Sequence, residues 1–258
     1  MRPVRFSSSL ILLSLLFLVT SGALSPVLAQ SDSDKDQLTD VRFSFDIDRN
    51  AYGSTVYRSP PQWAVWIESP DGETVRTLWV TRCTAQSTWR GKTSCPTALP
   101  HWTHRYNETT GTEGPPTLDN PLPDAVSRPT PMVEPKGTTF PAASIDRWDR
   151  FRETVALPEG SEWNYFIEVN VSGDYNETFL QETPEGVKDV PGNGQPAIVY
   201  RGRITVGADP AKIDPPEIVG RSDQYDSDMT LEPANDEITT AREILANISV
   251  AWDAQEED

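Results

Sequence analysis

The sequence predicts an all-β fold, an antiparallel sandwich of immunoglobulin-like character. Three observations carry that expectation: short segments alternate apolar and polar residues with period two, turns rich in Pro and Gly separate them, and no βαβ alternation occurs. The 23 prolines among 258 residues, nearly twice the usual share of ~5%, argue against a helical bundle.

Val41 to Asp48 sets Val41, Phe43, Phe45 and Ile47 against Arg42, Ser44, Asp46 and Asp48, the pattern of a half-buried strand. Gln62 to Glu68 comes next, with Trp63, Val65 and Ile67 on one side and Trp66 on the other. Ser69-Pro70-Asp71-Gly72 is a turn sequence and Thr74 to Thr81 its returning strand, so residues 62–81 form an expected hairpin. From Pro115 to Pro141 there are eight prolines in 27 residues without periodicity, a long surface excursion. Strand patterns resume at Phe151 to Leu157, Trp163 to Val171 and Ala197 to Val206. Asp209 to Asn235 is acidic and reads as loosely attached. Asp236 to Ala246 is expected as a short helix with acids at its start, and Ile248 to Trp252 as an edge strand.

The beginning of the chain reads as an export signal. Arg2 and Arg5 precede the apolar run Leu10 to Val19, and Val27-Leu28-Ala29 supplies small residues before Gln30, the three-part pattern of a secretory signal peptide. The run falls short of the roughly 20 residues that cross a bilayer, so no membrane insertion is expected after cleavage. The organisation predicted is therefore a signal peptide over 1–29, a polar leader over 30–40 and a sandwich over 41–206. The sandwich carries a Pro-rich loop (111–141), and an acidic extension with a short helix spans 207–258. A periplasmic or secreted location follows.

Charge narrows the partners. The chain carries 22 Lys and Arg against 39 Asp and Glu, a formal charge of -17. Nucleic acid and anionic membrane are excluded as main partners, because phosphate binding needs clustered Lys and Arg. The acidity is uneven: residues 208–258 hold 14 acids and three basic residues.

Export also governs the two cysteines. Cys83 and Cys95 are the only pair, in a compartment that oxidises thiols, and a disulfide between them is expected. A loop of that size contributes roughly 3 kcal/mol in the chain-entropy model. His101-Trp102-Thr103-His104 offers the alternative of a metal site on His101 and His104, completed by a carboxylate or water. Asp46-Ile47-Asp48-Arg49-Asn50 begins like a calcium loop, yet Ala51 stands where that loop needs Gly. Trp66 and Trp79, on neighbouring strands of the hairpin, suggest an aromatic platform for a sugar or other flat ligand. No G-x-S-x-G, Walker, H-E-x-x-H or G-x-G-x-x-G motif occurs, and no catalytic residue is assigned.

Trp63-Ala64-Val65-Trp66-Ile67-Glu68, Asp71-Gly72 and Val75-Arg76-Thr77-Leu78 together resemble a family of exported bacterial proteins known as domain of unknown function 2271. Leu99-Pro100-His101-Trp102, Asp124-Ala125-Val126-Ser127 and Gly194-Gln195-Pro196-Ala197-Ile198-Val199-Tyr200 extend the resemblance over about residues 40 to 206. The cysteines, the proline segment and the acidic tail depart from it. The resemblance implies a small exported β-rich domain without established activity, with an accessory role in envelope metal, redox or flavin handling as its natural extension. The combined expectation is a non-enzymatic binding or scaffolding component of the bacterial envelope. It needs no cofactor, and its partner is an envelope protein or small ligand. The metal or redox accessory and the carbohydrate-binding module are the alternatives.

Overall fold

Alternating side chains build two sheets that bury one face each against the other. The computed structural model describes residues 37–53, 61–87, 95, 97–114, 116–117, 126–128, 150–190, 192–208, 213, 215–225 and 230–252. Their order is β1 (Leu38–Ile47), α1 (Arg49–Gly53), β2 (Gln62–Glu68), β3 (Val75–Thr81), α2 (Arg82–Gln86), α3 (Pro100–Thr110), β4 (Val126–Arg128), β5 (Arg150–Pro158), β6 (Glu162–Asn170), β7 (Ile198–Thr205), β8 (Glu217–Arg221), α4 (Thr240–Glu243) and β9 (Leu245–Trp252). The expected signal peptide, the leader as far as residue 36 and most of the Pro-rich loop lie outside the described residues.

The smaller sheet has the order β5-β1-β9, antiparallel throughout. Register puts Phe45 opposite Phe151 and Val41 between Val155 and Trp252, so the apolar rows of three strands coincide. A bulge interrupts β9 where Asn247 takes a left-handed conformation (φ 52). Its Nδ2 donates to Asp46 Oδ2 at 2.8 Å, which anchors the kink.

The larger sheet runs β4-β3-β2-β6-β7-β8; only the three-residue β4 pairs in parallel. The β2–β3 hairpin turns where the sequence places it. Gly72 has φ 76, and the Ser69 hydroxyl donates to Asp71 Oδ1 at 2.5 Å while accepting from the Thr74 amide at 2.9 Å. Between Val65 and Trp66 the β2–β3 register slips, leaving Leu78 as an extra residue on β3. Leu78 and Trp79 consequently both join the core between the sheets.

That core joins Phe43, Phe45, Phe151 and Val155 of the small sheet to Trp63, Trp79, Tyr165 and Ile167 of the large one. Phe45 stacks on Phe151 at 4.6 Å and meets Trp63 edge-on at 6.1 Å. Tyr165 lies across Gly202, its register partner on β7, where a Cβ would come within 2.3 Å of the ring. The fold is therefore an all-β antiparallel sandwich.

The sheets continue past residue 206. β8 pairs with β7, and β9 supplies the expected edge of the small sheet. The helix expected over 236–246 contracts to the single turn α4, because Leu245 pairs with Ile47 and the chain is already strand there. The opposite face of the large sheet is covered by α3, which the apolar pattern does not announce: of its eleven residues only Trp102 and Tyr106 are large and apolar. Its signals are Pro100 at the first turn and Gly111 just past the end, where Gly111 adopts φ 67 and its amide caps the Asn107 carbonyl.

Candidate functional site

Chemistry-bearing side chains gather where α3 meets the large sheet, around Glu168. This residue stands on β6 between Ala64 and Val199 and is 0% exposed. Leu99, at the cap position of α3, offers no side-chain acceptor. Glu168 supplies it from the sheet: its carboxylate accepts the amide of Trp102 at 2.7 Å and that of His101 at 3.2 Å. Burial pushes the carboxyl up to about 8 from its ordinary 4.5, against the downward pull of those two amides.

A second carboxylate, Glu68 at the end of β2, is gripped by Arg105 of α3. Arg105 donates Nε to Glu68 Oε1 at 2.9 Å and Nη2 to Oε2 at 3.2 Å, and its Nη2 also reaches the Gly72 carbonyl of the hairpin turn at 2.9 Å. Trp66 Nε1 donates to the same Glu68 oxygen at 2.8 Å. Glu108 accepts from Arg105 and from His104 Nε2, the latter at 3.0 Å. Hydrogen bonding from Arg105 holds the Glu108 carboxyl below the usual range.

Trp66, His101 and His104 are brought to this one layer, but in separate roles. Trp66 stacks on Phe166 at 5.1 Å, and the His101 ring packs 5.9 Å from Trp66 and 6.5 Å from Phe166. His104 turns to Glu108. Among the described residues no group of three or more His, Cys, Asp and Glu side chains is placed to hold a metal ion. Asp46 and Asp48, from the calcium-like run, accept instead from Arg150 and from the Asn50 amide.

The aromatic platform expected on Trp66 and Trp79 does not form. Both are 0% exposed, and they lie on opposite faces of the large sheet, Trp66 under α3 and Trp79 against Phe151 in the inter-sheet core. The β3 slip at Leu78 and the two-sided covering of β2 account for this: every residue of β2 is buried.

The expected disulfide is also absent: Cys83 and Cys95 are buried and not bonded to each other. Cys83 lies in α2, whereas Cys95 joins the layer under α3 and donates its S–H to Asn193 Oδ1 at 2.9 Å. Burial pushes the Cys95 thiol up to about 12. Asn193 belongs to a turn held by Asp189, whose carboxylate accepts the amides of Gly192, Asn193 and Gly194 at 2.9, 3.1 and 2.7 Å.

No motif in the sequence pointed to Glu168. Within EWNYFIEVN it occupies the polar half of the alternation, as an exposed residue would. No family model, curated protein or solved structure matches this chain.

Proposed function

We propose that the protein is an exported, non-enzymatic sandwich domain that binds or scaffolds another component of the bacterial envelope. The observation that supports this reading is the use made of the reactive side chains near α3. Glu168 caps the helix, Arg105 ties Glu68 to the hairpin turn, and His104 pairs with Glu108. The first two serve the packing of α3 on the sheet and the third pairs within the helix, which leaves the work of the molecule to its surface. The resemblance to the domain of unknown function 2271 family and the export signal over residues 1–29 point the same way.

In-cell photocrosslinking tests the proposal, with the photoreactive residue placed at Thr154 on the small sheet or Arg76 on the large one, both exposed. A discrete adduct with an envelope component, from a mature chain beginning at Gln30, is the expected result. Retention of the uncleaved chain in the cytoplasm, or the absence of any adduct from both positions, overturns it.

A further inference from the structure

We propose that the chain modifies itself, joining Thr240 to Gln195 by an ester bond that staples the segment ahead of β9 to the segment ahead of β7. Such a bond forms whatever the molecule binds, so it stands apart from the binding role above. Placement, polarisation of an amide, and one buried carboxyl group carry it.

Gln195 lies just ahead of β7 in the large sheet, and Thr240 opens α4, just ahead of β9 in the small one. Folding brings them together across 45 positions, with Gln195 Nε2 3.4 Å from Thr240 Oγ1. Both sides of the contact are braced. Gly194 passes so close to Asp174 that a Cβ there would stand 2.4 Å from the Asp174 amide nitrogen, and the Gln195 amide donates to the Asp174 carbonyl at 2.6 Å. Asn176 Nδ2 donates to the Glu237 carbonyl at 2.8 Å, which ties the segment before Thr240 to the same loop.

The side-chain amide of Gln195 is gripped at both ends. Its Oε1 accepts the Thr239 amide at 2.7 Å and the Thr239 hydroxyl at 3.3 Å. Two donors on a carbonyl oxygen favour acyl transfer, because negative charge gathers there as a nucleophile adds to the carbon. Its Nε2 donates to Asp174 Oδ2 at 2.6 Å. A backbone amide can only donate, so Thr239 fixes Oε1 on its own side and turns Nε2 to the carboxyl group.

Asp174 is 5% exposed, and the side chains that hydrogen-bond its carboxyl group, Thr240 and Gln195, are both neutral. Burial lifts this carboxyl above its ordinary range. A buried carboxylate held by neutral groups alone opposes folding, and packing supplies no reason for it. Contact with both an attacking hydroxyl and a leaving nitrogen does.

The step balances within these groups. Asp174 takes the proton of the Thr240 hydroxyl as Oγ1 adds to Gln195 Cδ, while the Thr239 donors hold the charge on Oε1. Asp174 then passes that proton to Nε2, the C–N bond breaks, ammonia leaves and the C–O bond of the ester remains. No oxidant and no water enter the balance. Groups held in place by one fold react as if at an effective concentration on the order of 10⁵ M, and the loss of ammonia draws the step forward. Gln195 is 3% exposed, which keeps from the ester the water that would hydrolyse it.

Tryptic mapping of the folded full chain by mass spectrometry tests this. The expected product is peptide 189–201 joined to peptide 222–242, lighter than their sum by one ammonia, with fragmentation placing the bond at Thr240. Alkaline hydroxylamine is expected to separate the pair, since it cleaves an ester and spares an amide. Asp174→Asn is expected to slow formation of the bond at least about 100-fold. Thr240→Val abolishes it and Thr240→Ser retains it; should Asp174→Asn fold poorly, this pair of variants decides. Recovery of the two peptides only as separate species, after prolonged incubation of the folded chain, overturns the inference. So does a link that survives hydroxylamine, persists in Thr240→Val or forms equally fast in Asp174→Asn.

Discussion

The two layers on either side of the large sheet are held by different means. Between the sheets, rings and aliphatic chains fill the space with few polar atoms: Phe43 on Tyr165 at 5.7 Å, Phe45 on Phe151 at 4.6 Å, Trp79 on Phe151 at 5.4 Å. Under α3 the packing is threaded with polar links: Glu168 to two helix amides, Trp102 Nε1 to Thr77 at 3.1 Å, Cys95 to Asn193, and Arg105 to Glu68. The first layer follows from area removed from water and tolerates small displacements. The second requires each donor to meet a particular acceptor far away in sequence, so it is specific and easier to open locally.

The inter-sheet core should suffer the largest loss. Phe151→Ala removes a fully buried ring that touches both Phe45 and Trp79, and it is expected to cost ~3–5 kcal/mol, read as a lower urea midpoint for the whole domain. Trp102→Phe keeps most of the volume but strands the buried Thr77 hydroxyl, for a loss of about 1–3 kcal/mol. If the contrast between layers is sound, Trp102→Phe accelerates amide exchange in α3 well before the strands. Equal acceleration in β1 and β6 would remove the distinction.

Glu168 sharpens the same contrast with a pH dependence that the apolar layer lacks. Burial raises its carboxyl from 4.5 to about 8, so the folded chain retains a proton that the unfolded chain has released between those values. Its contribution to stability is complete below about pH 4.5, falls as pH climbs, and is gone once pH passes about 8. Glu168→Gln resembles the protonated form. It is expected to shift stability at pH 6 by no more than ~1 kcal/mol and to flatten the decline between pH 6 and 9. An unchanged slope in the variant places the titrating group elsewhere.

These layers also differ in how far the sequence discloses them. The strands of the core were legible because side chains alternate: Gln62 to Glu68 is β2 to the residue, and β1, β3, β5, β6 and β7 differ from their patterns only at the ends. β8 was hidden by acidic flanking residues, since Glu217 to Arg221 gives too short an alternation to stand out. α3 was hidden because two rings in eleven residues make a faint period, although its Pro and Gly boundaries were in plain view. The site was least legible. An acceptor on β6 for amides on α3 spans 66 positions, and neither segment's local pattern carries information about the other. Trp66 and Trp79 misled for a related reason: adjacency in a hairpin says nothing about which side of a bulged pair each ring takes, or whether a helix covers it.

The smallest expected effect belongs to the cysteines, and it separates two accounts of the α3 layer. A disulfide between Cys83 and Cys95 would stabilise the fold by roughly 3 kcal/mol through its loop, and reductant would remove that gain. With both thiols unlinked and buried, dithiothreitol should leave the melting temperature unmoved. Thiol titration of the unfolded chain should count two equivalents. In the native state Cys95 should react only slowly, since a thiol raised to about 12 provides almost no thiolate near neutral pH. The same protection shields Cys95 from oxidation and exchange, which act on accessible thiolate, because it presents its S–H inward to Asn193. Cys95→Ser should therefore donate to the same Asn193 oxygen yet lose part of its fit to the apolar layer, for about 1 kcal/mol. A fall in melting temperature on reduction, or fewer than two thiols after unfolding, would instead assign the staple of this layer to a covalent bond.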